Sequence, residues 1–204
     1  MYSNKLLTSK DSSLLIIKDR PNKNIVISSP HHSPLGISKI PCKMHRNGDE
    51  ATGFLSDYIA NEIECCSVIA SNYFIDANKS VSYDYFRIIE KWSPKNLIEI
   101  HGHGGKSAVF DIEISCGNIN DNKKSIRLAD ALQKELSDTI LSSYSISGDY
   151  NKIYFTAQYS VSITTEKWTS YHIELPNSIR TTEKKAKLFC TSLIKVIKSL
   201  GLNE

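Results

Sequence analysis

Short β-branched runs alternate with longer amphipathic stretches along most of this chain, and that alternation limits the fold more than any other feature. "NIVISS" (24–29), "CSVIAS" (66–71) and "NLIEI" (96–100) predict buried strands, and "AVFDIEIS" (108–115) alternates strictly, as a strand with one wetter face does. "KIYFTA" (152–157) and "TSYHIEL" (169–175) predict two more. Between them, "DEATGFLSDYIANEI" (49–63) places Leu55, Tyr58, Ile59 and Ile63 at helical spacing, with Asp49 near its start, where a carboxylate favours initiation. "SYDYFRIIEKW" (82–92) reads as a helix that stops before Pro94, and "SIRLADALQKELSDTILSS" (125–143) as a long amphipathic one. "TTEKKAKLFCTSLIKVIKSLG" (181–201) runs from a threonine cap to Gly201, its lysines opposite Leu188, Leu193, Ile194 and Ile197. The order predicts an α/β domain of three layers, α/β/α, around a mostly parallel mixed sheet.

The 204 residues are 40% hydrophobic and 23% charged, enough to bury one sizeable core, so a single domain over 1–204 is expected. A net charge of +3, with no basic run interleaved with aromatics, argues against nucleic acid as a partner. No apolar stretch nears the ~18 residues of a membrane span. The first segment lacks a secretory pattern, because Lys10, Asp11 and Lys18 interrupt its apolar runs. Five cysteines, an odd number without C-x-x-C spacing, read as reduced core thiols and point to a cytoplasmic protein.

Three of the expected strands end in unusual polar residues: "SPHHSP" (29–34), "IEIHGHGGKS" (98–107) and "YHIELPNSIR" (171–180). Five of the six histidines lie there; His45 alone stands outside, in the loop leading to Asp49. Sites in open α/β sheets collect beyond the carboxyl ends of strands. Strand alternation puts Glu99, His101 and His103 on one side, and His172 with Glu174 on one side. A zinc site takes neutral imidazoles and a carboxylate, which His31 or His32, Asp49 or Glu50, and His101 or His103 would supply. Glu99 is placed to receive the second ring N–H of His101.

These residues in this order, "SSPHHSP…GDEATGFLSDYIA…IEIHGHGG…YHIELPNSIR", resemble the N-formylglutamate amidohydrolase family and, more distantly, the phage poly-γ-glutamate hydrolases, both relatives of the zinc carboxypeptidases. The matching segments spread over about residues 25–200; residues 1–23 precede them as an N-terminal extension with no assigned role. The resemblance implies a zinc-carboxypeptidase-like fold and a zinc-dependent hydrolase cleaving an amide bond of a small acidic or peptide-like substrate. It makes His31, after Pro30, the first zinc ligand, Asp49 the second and His101 the third. Glu174 matches the catalytic glutamate, while Glu50, His32 and His103 are not fixed by the pattern. Arg180 and Arg46 become candidates for a substrate carboxylate, which arginine forks bind bidentately, with His103 facing the substrate as well.

The sequence offers three rival readings. "HGHGGKS" ends in Gly-Lys-Ser after a strand, yet a phosphate loop needs a glycine at 100, where Ile100 stands, and a helix next, where "AVFDIEIS" follows. Cys65 and Cys66 have no local histidine to activate them as nucleophiles. A non-catalytic descendant of the hydrolase fold that binds a ligand or partner is the remaining alternative.

Overall fold

A computed structural model describes all residues, 1–204. Its strands are β1 (Leu14–Lys18), β2 (Asn22–Ser33), β3 (Asp49–Glu50), β4 (Cys65–Ser71), β5 (Asn96–His103), β6 (Ile112–Ser115), β7 (Ile146–Ser147) and β8 (Thr169–Pro176). Its α-helices are α1 (Thr52–Ile63), α2 (Asp84–Trp92), α3 (Asn122–Leu136), α4 (Val161–Thr164), α5 (Asn177–Arg180) and α6 (Glu183–Ser199). The sheet order is β1-β4-β2-β5-β8-β6-β7, with β3 paired to β2 outside that path. β2, β4, β5 and β8 run parallel, while β1 and β6 pair antiparallel with β4 and β8.

The mostly parallel sheet follows from the sequence: its central strands are apolar on both faces. Ile25, Ile27, Ile98, Ile100, Tyr171 and Ile173 face one layer with α1, α3 and α6. Val26, Val68, Ala70 and Leu97 face the other with α2 and α4. Burial of such side chains contributes roughly 1.5–3 kcal/mol each. All parallel strands thus point their carboxyl ends at one edge, and β4 and the later β5 flank β2 on opposite sides, which opens a crevice there.

Several expectations are corrected. The helix expected from Asp49 begins at Thr52. Asp49 and Glu50 pair with His32 and Ser33 as β3, and Ala51 interrupts at φ 68°, a left-handed conformation that costs a non-glycine residue about 1–2 kcal/mol. "KIYFTA" is a loop, and "AVFDIEIS" is a strand only from Ile112. The reason is common to both: the N–H groups of Val109, Phe110, Tyr154 and Phe155 donate to the Glu113 carboxylate instead of to a neighbouring strand. The helix expected over 125–143 ends at Leu136, where Ser137 and Thr139 hydroxyls donate back to the Lys134 and Leu136 carbonyls and compete with the ladder. Residues 1–23 supply β1 and the fully buried Leu7. All five cysteines are free and buried, and no helix is long and apolar enough to cross a membrane.

Candidate metal centre

The strand β2 carries two irregularities against β4, and the second, between Ser29 and His32, decides which histidine reaches the crevice. Between Ser29 and His32, β2 advances three residues while β4 advances two, from Ile69 to Ser71. The extra residue is a bulge beside Pro30, a residue with no N–H to give to a ladder. Before the bulge, Ile27 and Ser29 face α1, Ser29 through a 2.6 Å contact with Thr52 Oγ1. Alternation would send His31 the same way. The bulge reverses the parity, so His32 faces α1 and His31 turns to the opposite face.

His32 is closed by backbone on both nitrogens: Nδ1 accepts the Gly53 N–H at 3.0 Å and Nε2 meets the Leu7 carbonyl at 3.1 Å. A Cβ on Gly53 would lie 2.6 Å from the ring, so the helix start needs glycine there. His103 is closed in the same manner, Nδ1 accepting from Gly105 N–H at 3.1 Å and Nε2 meeting the Asp111 carbonyl at 2.9 Å. Neither ring has a nitrogen left for a metal.

His31 and His101 are arranged differently. His31 Nε2 lies 2.8 Å from Asp76 Oδ1, and His101 Nε2 lies 3.1 Å from Glu99 Oε2. A carboxylate only accepts, so each ring donates from Nε2 and in its neutral form presents the Nδ1 lone pair. Both Nδ1 atoms point at one oxygen, Asp49 Oδ2, at 3.5 Å for His31 and 3.3 Å for His101. Asp49 rather than Glu50 occupies this place; Glu50 instead accepts the Gly36 N–H. Glu99 is completely buried and also accepts from Tyr85, Asn78 and Ser162, which fixes it behind His101.

Three further residues join them. Glu174 pairs in register with His101 across β5 and β8, and its Oε1 lies 3.4 Å from His172 Nε2. Its Oε2 is buried without a partner, as are His31 Nδ1 and His172 Nδ1. His45, which the sequence left outside the clusters, stacks on His31 with centroids 3.8 Å apart and planes 13° apart. Asp76 stands on the loop beyond the carboxyl end of β4, the same kind of position as the other polar clusters.

The cleft above these groups is about 1100 Å³. His103 and Arg180 line it; Arg46 is exposed and stands outside the lining. Arg180 is buried, and its guanidinium donates to three carbonyls: Leu175 at 3.0 Å, His103 at 3.4 Å, and Glu50. It lies where a Cβ on Gly102 would stand.

Burial shapes the charges. It presses His101 toward the neutral form, but the Asp49 and Glu99 carboxylates outweigh it and lift the imidazole to about 10. His31 is raised too, with burial opposed by Asp49 and Asp76. Asp49, despite burial, is held far below the usual carboxylate range by the two histidines. Burial, reinforced by the Asp49 charge, pushes Glu174 up to about 7. Burial also holds His172 neutral, well below the usual histidine value.

The donor set fits a metal ion. His31, Asp49 and His101 each offer an atom, all within 4.8 Å of one another, and one of them, His31 Nδ1, is a buried polar atom with no hydrogen-bond partner. Two ligands at zinc bond lengths on a tetrahedron stand roughly 3.3 Å apart, close to the 3.3 and 3.5 Å measured from Asp49 Oδ2. His101 with His172 and Glu174, and His31 with His45 and Asp76, are also close enough to hold an ion. Full burial sets the first apart from His31, His45 and Asp76, and a further carboxylate behind each of its histidines, Asp76 and Glu99, sets it apart from His101, His172 and Glu174.

The sheet holds the cleft at the carboxyl ends of its parallel strands, and this fold is shared with known structures. No family model matches the sequence, and no curated protein matches it. Among solved structures, a bacteriophage poly-gamma-glutamate hydrolase superposes with a TM-score of 0.61 at 10% identity, over 94% of this chain and 91% of its own. N-formylglutamate amidohydrolase from Ralstonia eutropha JMP134 gives a TM-score of 0.53 at 11% identity, over 92% and 98%. N-acetylmuramoyl-L-alanine amidase from Clostridium difficile 630 gives 0.51 at 13%, over 87% and 96%. At these identities the likeness is one of fold, and it includes both families that the sequence resembles.

Proposed function

We propose that this chain is a one-domain, cytoplasmic, zinc-dependent amidohydrolase acting on a carboxylate-bearing substrate, an N-acylated amino acid or a γ-glutamyl chain. The observation that carries the reading is the pair of carboxylate-backed histidines whose Nδ1 atoms meet Asp49 Oδ2, with the free oxygen of Glu174 in the same cleft. The amide-cleaving names of the structural neighbours support it.

His31, Asp49 and His101 would hold the metal, with Asp76 and Glu99 orienting the two rings. A bound zinc supplies Lewis acidity, which acidifies water and polarises the scissile carbonyl. Glu174 Oε2 takes the proton of the attacking water and returns it to the leaving nitrogen. His172 Nε2, against Oε1, orients that carboxylate. Arg180 places a fixed positive charge in the cleft for the substrate carboxylate, beside His103.

Metal analysis of the gently purified protein, together with hydrolysis assays on N-formyl-L-glutamate and on γ-glutamyl oligomers, tests the reading. Stoichiometric zinc with turnover of either probe is the expected result. Absence of any bound metal would sink it; zinc without turnover would leave a ligand-binding descendant of the fold.

A further inference from the structure

Glu113 is a completely buried carboxylate that no part of the proposed mechanism uses. It stands on β6, and its Oε1 accepts the N–H groups of Val109 at 2.7 Å and Phe110 at 3.1 Å. Its Oε2 accepts those of Tyr154 at 2.9 Å and Phe155 at 2.8 Å. An ionised carboxylate offers about four lone-pair positions, and here backbone amides fill them all.

The four amides belong to two loops that no backbone–backbone hydrogen bond joins. Both loops contribute to the lining of the cleft, through Gly104–Ser107 and Tyr154–Tyr159. Two contacts reinforce the junction. The His103 ring lies 5.6 Å from that of Phe155 at 20°, and Ser115 Oγ donates to the Thr156 carbonyl at 2.6 Å.

We infer that Glu113 is a positioning residue that holds the two cleft-lining loops against each other and so sets the affinity for substrate. Glutamine at this place could accept from one loop only, because its NH₂ would meet two N–H donors of the other. A loop wall released in this way costs binding. The metal ligands and Glu174 stand on strands β2, β3, β5 and β8, held by their own ladders. The link to affinity rests on the amidohydrolase reading; the clamp itself does not.

Amide hydrogen exchange on the full chain reads the clamp without any substrate. In the wild type, the N–H groups of Val109, Phe110, Tyr154 and Phe155 should exchange at least about tenfold more slowly than those of Lys106 and Gln158 in the same loops. Equal rates would overturn the inference. In Glu113→Gln, protection should be lost at one pair or both, with zinc content unchanged. KM for whichever of N-formyl-L-glutamate or γ-glutamyl oligomer is hydrolysed should rise about tenfold, with kcat altered by less than about twofold. Retained protection, or a fall in kcat at constant KM, would overturn it. If Glu113→Gln does not fold, the wild-type exchange rates still decide. A wild type that cleaves neither probe would remove the amidohydrolase reading, and exchange alone would then judge the clamp.

Discussion

Glu113 and Glu174 are direct cross-strand partners on β6 and β8, so two buried carboxylates stand side by side on one face of the sheet. Their surroundings separate them: four amide hydrogens complete Glu113, while Glu174 keeps one oxygen without a partner. Of the two, Glu174 alone has a lone pair free to take a proton.

Glu174→Gln keeps the side-chain volume and removes that acceptor. Metal should stay bound, the melting temperature should hold, and turnover should fall by ~10²–10⁴. A purely structural role would need an ion-pair partner, but Lys167 pairs with Glu90 and Arg180 donates to carbonyls. Zinc content, melting temperature and rate measured on one preparation check this; full activity would leave the mechanism without its base.

His31→Ala and His101→Ala should each remove most of the bound metal, and Asp49→Asn should weaken it where Glu50→Gln does not. His103→Ala should keep the metal. His32→Ala should keep it too but cost about 1–3 kcal/mol of stability, because it strands the buried Gly53 N–H and the Leu7 carbonyl. Metal content and denaturation curves across the six variants test the bulge: loss of metal in His32→Ala with retention in His31→Ala would reverse the register.

Protein stripped of metal should lose stability as the pH rises. His101 has a folded value near 10 against an ordinary 6.5, so its contribution is complete below about 6.5 and vanishes as the pH passes 10. His31 acts in the same direction. Asp49, held low, contributes above its ordinary range near 4 and is lost only as the pH falls below it. Metal must displace the histidine protons, so its apparent affinity should rise between about pH 6 and 9. Thermal scans of stripped and zinc-loaded protein across this range check both; a melting temperature of the stripped form that climbs from pH 7 to 10 would contradict the assignment.

No thiol should react in the native protein. All five cysteines are buried, and burial pushes Cys65 and Cys116 up to about 12. Thiolate is the reactive form. Alkylation followed by mass spectrometry should show unmodified protein when folded and five adducts in denaturant; a rapidly modified native cysteine would disagree.

The strands bearing the site were legible because they are buried on both faces and read as unbroken apolar runs, as at Ile25–Ile27 and Leu97–Ile98. The polar ends of β2, β5 and β8 followed from them. What sequence spacing could not show was parity: a bulge at Pro30 exchanges the faces of His31 and His32, and nothing in "SPHHSP" states its presence. The resemblance, not the alternation, selected His31. His45 and Asp76 arrive on loops, whose paths no periodicity encodes. "KIYFTA" has strand composition but lacks a strand partner, since a glutamate 41 residues away holds its Tyr154 amide. β1 went unread because its half-exposed "LLIIK" pairs along one side only, at the edge of the sheet.

Arg180 fills the space that any side chain at 102 would require. Gly102 has no left-handed backbone to demand glycine; the guanidinium alone keeps the position bare. Neither residue can therefore drift by single steps. A larger residue at 102 must first evict an arginine that joins the Leu175, His103 and Glu50 carbonyls, and a shorter residue at 180 opens a hole beneath the cleft floor. Descendants of this chain should inherit the two positions as a unit or replace them as a unit, however far the rest of the sequence diverges.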